Sequence, residues 1–313
     1  MSAGLPATER IHPQSKGLEA LPLRRALAVL HAGDLAAARA VGRALPALAQ
    51  AASAAAAALA GGGRLVYAGA GTSGRLAALD AAECPPTFGL APGRVLALVA
   101  GGGRALRRAV EGAEDDTRAA RRAVAGARVG AKDLVVGISA SGTTPYVLAA
   151  LAEARRRGAR TALLTSNPAA RAPGALRVVL DTGPELVAGS TRLKAGSAAK
   201  MALSLLSTGA MLQLGRVRDG RMIDLVATNA KLRRRAVRIV MELGGLGERA
   251  AAAALTRTRW SVRAALEISG SRSLSPSPPP GEREACLPQG VRAGVRAGVR
   301  GSKSRSKSKS RST

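Results

Sequence analysis

An α/β fold built on a five-stranded parallel sheet flanked by helices is what this sequence predicts, on three observations. Five short apolar runs, at 64–68, 94–100, 133–138, 160–165 and 176–181, alternate with helical segments, the pattern of a parallel sheet covered on both faces. Most of these runs end in loops of Gly, Ser and Thr, where such sheets bind ligands. After the last run the pattern turns wholly helical to about Ile268 and then loses periodicity, predicting a C-terminal helical region and a disordered tail.

In chain order, residues 1–20 are irregular and polar, and 21–30 and 34–59 read as helices, with Asp34 as N-cap. The uncharged stretch 44–60 is mostly Ala and holds Pro46, Gln50 and Ser53, which makes it a packing helix rather than a membrane span. The opening MSAGLPATER lacks the apolar core of a signal peptide, so a cytoplasmic protein is expected.

Residues 61–89, GGGRLVYAGAGTSGRLAALDAAECPPTFG, carry most of the functional information. A strand at 64–68 leads through Gly69-Ala70-Gly71-Thr72-Ser73-Gly74 into strong helix formers at 75–82. Such a turn gathers free backbone N–H groups and the positive helix end at one point, favouring a phosphate. Thr72 and Ser73 supply further donors. The glycine spacing matches neither the dinucleotide fingerprint nor the Walker pattern, and the competing reading is a packing device. Pro85 and Pro86 predict that the helix stops near Glu83. A carboxylate at the negative helix end suits a general acid, and a solvated helix-end Glu fits the stretch equally well.

A helix expected over 105–127 carries Glu111, Glu114, Asp115 and Asp116, with Glu111 and Glu114 on one face by their three-residue spacing. Crowded carboxylates suit proton transfer, although an acidic run is more often a solvated face. The third strand leads into Ser139-Ala140-Ser141-Gly142-Thr143-Thr144-Pro145 and a helix at 146–157. Two hydroxyl loops, at 69–74 and 139–144, suit a sugar phosphate. Ser190 or Thr191 is placed to cap a long helix at 192–214 and to present another anion site.

The net charge of +28 comes from 48 basic and 20 acidic residues. Most of the basic residues are Arg scattered singly through helices, and four aromatics leave almost no platform for stacking bases, so nucleic acid is not the expected partner. The charge serves to attract an anionic substrate. Cys84 and Cys286 provide neither a disulfide framework nor a metal cluster. Residues 271–313 hold ten basic and two acidic residues and low-complexity repeats such as VRAGVRAGVRG.

Five motifs, GAGTSGRLAALDAAECPPTFG, AVEGAEDD, VVGISASGTTPYV, GPELVAGSTRLKAGSAAKMALSLLST and ATNAKL, stand in one order between about Thr8 and Ile268. Together they resemble the N-acetylmuramic acid 6-phosphate etherases, a family with the sugar isomerase (SIS), flavodoxin-like fold. The resemblance implies a lyase that cleaves the D-lactyl ether of N-acetylmuramic acid 6-phosphate to N-acetylglucosamine 6-phosphate and D-lactate in peptidoglycan recycling. It also implies a homodimer working without metal or other cofactor. Carried onto this chain, the family's acid is Glu83 and its base is Glu114. Sugar and phosphate contacts fall on Ser73, Ser139, Ser141, Thr143 and Ser190, with Glu111 close by and Thr72 and Thr144 in the same loops. Departures from the family pattern are His12, Ser204 and the charged run Arg218-Asp219-Gly220-Arg221, whose added charges are expected to disturb packing or a dimer contact.

The expected organisation is an N-terminal arm and helices (1–60), a sugar-phosphate-binding domain (61–225), a short helical region (226–268) and a basic tail (269–313). The alternatives are a non-catalytic sugar-phosphate sensor of the same fold, and a nucleic-acid binder acting through the tail.

Overall fold

The computed structural model describes residues 10–270; the tail from 271 lies outside them. Helices α1 (Leu23–Arg43) and α2 (Leu45–Ala60) precede β1 (Leu65–Gly69) and α3 (Gly71–Phe88). Then come β2 (Val95–Val99), α4 (Thr117–Gly126), β3 (Leu134–Ile138), α5 (Pro145–Arg156), β4 (Arg160–Thr165) and β5 (Leu176–Val179). The long α6 (Lys194–Gln213), a hairpin β6 (Val217–Arg218) and β7 (Arg221–Met222), and helices α7 (Ala230–Gly244), α8 (Glu248–Arg257) and α9 (Val262–Ile268) complete the described chain.

The five expected strands form one parallel sheet in the order β2-β1-β3-β4-β5. Side chains alternate across a strand, so each apolar run is divided between two cores. Leu65, Tyr67, Leu134, Val136 and Ile138 pack under α1, α2, α3 and α6, whereas Val66, Ala68 and Val135 pack under α4 and α5. The alanine-rich α2 lies in the first core. Its contact with α6 is close enough that a Cβ on Gly209 would stand 3.1 Å from Ala52 Cβ. A third cluster joins Ile223 and Leu225 to α7, α8 and α9. Among the described residues no helix is long and apolar enough to cross a membrane.

Below the strands, Arg64 and Asp133 fix the start of β1 against the start of β3. Arg64 donates Nη2 to Asp133 Oδ2 at 2.7 Å and its backbone N to Oδ1 at 2.8 Å. Burial alone raises the Asp133 carboxyl, and the Arg64 guanidinium with the Gly130 N–H outweighs it, leaving Asp133 below the ordinary carboxylate range.

Several local expectations are corrected. Asp34 lies inside α1 and caps nothing; its carboxylate accepts from Ser197 at 3.1 Å. Helix α3 does not stop at Glu83 but runs through Pro85 and Pro86 to Phe88. Proline's fixed φ suits a helix and its cost is the missing N–H, and left-handed Gly89 closes the end by donating to the Pro85 carbonyl at 2.9 Å. The helix expected over 105–127 begins only at Thr117, because Gly112 turns left-handed (φ 69°) and Asp116 caps the new start through Ala119 N. Apart from these corrections, the charged run Arg218–Arg221 forms the β6–β7 hairpin: Asp219 and Gly220 both take positive φ, as a two-residue turn of this kind requires, and Arg218 Nη1 is buried there without a hydrogen-bond partner among the described residues. Arg221 there pairs with Glu242 at 2.6 Å.

Candidate active site

The strand order makes β1 and β3 neighbours, with Gly69 level with Ile138. In a sheet of this order the switch point lies between those two strands, and ligands sit beyond their carboxyl ends. Both hydroxyl loops therefore open on the same crevice. A cavity of about 290 Å³ lies there, lined by Ala70, Gly71, Thr72, Ser73, Glu114, Ile138, Ser139, Ala140, Ser141, Thr144, Gly189 and Thr191.

The first wall is the start of α3. The helix begins four residues earlier than expected, so Gly71, Thr72 and Ser73 form its first turn. No side chain caps that end and no acidic residue stands in the first turn. The amide groups of the turn and the positive helix end are thus left for an anion. The turn is tight: a Cβ on Gly74 would stand 2.7 Å from the Gly69 carbonyl oxygen, and one on Gly69 would stand 2.8 Å from the Gly74 nitrogen. Glycine at both positions is what lets α3 start this close to the strand end.

The second wall is the 139–144 loop. Ser139, nearly fully buried, accepts from the Gly142 N–H at 3.0 Å and shares a hydrogen bond with Thr144 Oγ1 at 2.7 Å. Ser141 accepts from Thr143 Oγ1 at 2.9 Å. Gly142 has φ 72°, and a Cβ on it would stand 2.2 Å from Ala170 Cβ. The end of β4 supports the loop from beneath: Thr165 Oγ1 donates to the Ala140 carbonyl at 3.2 Å and Asn167 Nδ2 to the Ser141 carbonyl at 2.8 Å. Ser139 is thus largely committed to the shape of its own loop, while Ser73 remains available.

The third wall combines Glu114, in a 3-10 turn at Ala113–Asp115, with Gly189 and Thr191 before α6. The α6 start is not a second anion site, and neither Ser190 nor Thr191 caps it. Glu185, fully buried, accepts from Lys194 N at 3.0 Å and Ala195 N at 2.9 Å, so a carboxylate already occupies that helix end. Burial pushes the Glu185 carboxyl up, and those two N–H groups oppose the shift.

Of the predicted site residues, Thr72, Ser73, Glu114, Ser139, Ser141 and Thr144 line one cavity. Glu111, Thr143 and Ser190 are not among its lining residues, and Glu111 shares no helix face with Glu114 because the helix between them is absent. Glu83 is exposed on the far part of α3. It is twelve residues beyond Gly71, about 18 Å along the axis at 1.5 Å per residue. Thr191, which the sequence offered as a helix cap and anion site, and Gly189, which it did not single out, line the cavity as well. Thr165, the last residue of β4, and Asn167, just after it, carried no sequence signal beyond that position.

Residues 47–155 match the family model described as the glucokinase regulatory protein N-terminal SIS domain. The N-acetylmuramic acid 6-phosphate etherase of Deinococcus radiodurans is 49% identical over 83% of this chain and 86% of its own length. That of Serratia proteamaculans is 46% identical over 85% of this chain and 90% of its own. Among solved structures, a phosphoheptose isomerase from Francisella tularensis aligns with a TM-score of 0.45 and 18% identity, covering 61% of this chain and 98% of that one.

Proposed function

This chain belongs to the N-acetylmuramic acid 6-phosphate etherase family, and from that premise we propose how its cavity carries out the reaction. The protein is a carbon–oxygen lyase that converts N-acetylmuramic acid 6-phosphate to N-acetylglucosamine 6-phosphate and D-lactate. The reading as a non-catalytic regulator is set aside, since relatives named as etherases match this chain at 45–49% identity over most of its length.

One observation carries the assignment of roles: an uncapped helix start and the Glu114 carboxylate line the same cavity. The first turn of α3, with Ser73, holds the phosphate, and Ser141 and Thr144 read sugar hydroxyls. In the ring-opened aldehyde the carbonyl acidifies the C2 proton. Glu114 removes that proton, and Glu83 gives one to the lactate oxygen leaving C3. Water then adds to the unsaturated intermediate, and Glu114 and Glu83 return to their starting protonation states. Each role is that of a positioned base or acid.

Glu83 does not reach the cavity of its own chain at about 18 Å along α3. We therefore read the enzyme as a homodimer in which Glu83 of the partner subunit completes each site. Exposed apolar side chains on α1 (Leu23, Leu27), α3 (Leu79) and α6 (Leu205, Leu212) suit such an interface. The substrate class assigns the reaction to peptidoglycan recycling, in the cytoplasm. Incubating the protein with N-acetylmuramic acid 6-phosphate should release D-lactate and N-acetylglucosamine 6-phosphate in equal amounts. Absence of D-lactate overturns the reading.

A further inference from the structure

A second cavity, about 480 Å³, adjoins the first. Its walls come from α1 (Asp34, Leu35, Ala38), the first turns of α3 (Thr72, Leu76) and the start of α6 (Arg192, Gly196, Ser197, Lys200, Met201). Thr72 lines both cavities, and the consecutive residues Thr191 and Arg192 line one each. The two cavities therefore meet at Thr72 and at the Thr191–Arg192 step. Gly196 packs against both residues: an added Cβ would stand 3.5 Å from Thr72 Cγ2 and 3.2 Å from the Thr191 carbonyl oxygen.

The second cavity carries three charged groups. Asp34 is engaged by Ser197 at 3.1 Å. Arg192 and Lys200 form no ion pair and no side-chain hydrogen bond among the described residues, and Lys200 acts on the neighbouring Asp80 only through space. The lining thus has one net positive charge and two cationic heads without partners, against apolar walls from Leu35, Ala38, Leu76 and Met201. Unpaired cations beside a small apolar surface fit a ligand with one carboxylate and a short aliphatic stem.

We propose that Arg192 and Lys200 bind the carboxylate of the substrate's lactyl group, with its methyl against Leu76 and Met201, while the phosphate occupies the α3 start across Thr72. The proposal rests on the etherase reading above. It makes the second cavity the element that separates substrate from sugar product: both carry the phosphate, but only the substrate carries the carboxylate. It also gives the leaving lactate its own place to accept a proton and depart.

The test compares two ligands in Arg192→Met, Lys200→Met and the double variant. Both residues are exposed, and their replacement leaves the described hydrogen bonds intact. Each single variant should raise KM for N-acetylmuramic acid 6-phosphate about tenfold, the scale of one charged contact, and the double variant more. Binding of N-acetylglucosamine 6-phosphate, followed by calorimetry, should stay within about twofold and serves as the folding control. Equal losses for both ligands, or no loss for either, overturn the carboxylate pocket. A wild-type protein that releases no D-lactate overturns the etherase reading instead.

Discussion

The Tyr67 hydroxyl donates to Asp80 Oδ2 at 2.7 Å, tying β1 to α3 behind the phosphate turn. Ser207 of α6 donates to the other oxygen at 3.1 Å, so one carboxylate joins three elements that frame the two cavities. Burial pushes Asp80 up, and the hydrogen bonds from Tyr67 and Ser207, with the charge of Lys200, oppose it. Burial, with Asp80 nearby, also pushes the Cys84 thiol up to about 12, which keeps it a neutral packing group.

Replacing Asp80 with Ala strands the fully buried Tyr67 hydroxyl and should destabilise the protein by roughly 1–3 kcal/mol. Tyr67→Phe, which removes the donor cleanly, should cost less. Urea denaturation checks the order, and equal stability of Asp80→Ala and wild type would show that this network does not hold α3 in place.

Ser73 and Ser139 should separate binding from loop stability. Ser73→Ala is expected to weaken sugar-phosphate binding by about 1–3 kcal/mol with little change in melting temperature. Ser139→Ala should lower both, since its hydroxyl holds Gly142 and Thr144. Calorimetric titration alongside thermal melting decides; unchanged affinity in both variants would contradict the site.

The roles and subunit origin of Glu83 and Glu114 can be tested together. Glu114→Gln should abolish both solvent exchange at C2 and lactate release, while Glu83→Gln should block release and retain exchange, each loss being at least ~10²-fold. Deuterium exchange followed by NMR reads this directly. Mixing the two inactive variants should restore about a quarter of wild-type activity, because a mixed two-fold dimer holds one intact composite site. Mixtures that stay inactive after verified subunit exchange would place both carboxylates in one chain's site.

Asp133 gives a signed pH dependence. Its ordinary value is 3.8 and its folded value is lower. Its contribution is therefore fully present above the unfolded value and lost as pH falls through the folded one. Asp133→Asn should cost about 2–4 kcal/mol near neutrality, and its deficit relative to wild type should shrink below about pH 4. A deficit that is constant from pH 7 to 3 would remove the charge from the explanation.

The elements and the chemistry offered at their ends were legible in short stretches of sequence. Five apolar runs became five parallel strands because each is short, bounded by turn residues and apolar on both faces. The Gly69–Gly74 turn was legible because glycine spacing and hydroxyls are local facts, and the positive end of α3 follows from the backbone alone. Local signals failed where distant partners decided the outcome. Helix α3 passes through two prolines because its packed face and the Gly89 cap outweigh the lost N–H groups. The start of α6 is closed by Glu185, eight residues upstream of Leu193, through a fold no propensity describes. Above all, it took the tertiary structure to set β1 beside β3 and so bring Ser73 and Ser141 to one crevice. Strand order is a property of the whole sheet, fixed by how all the helices cover its two faces, and no short stretch of sequence contains it.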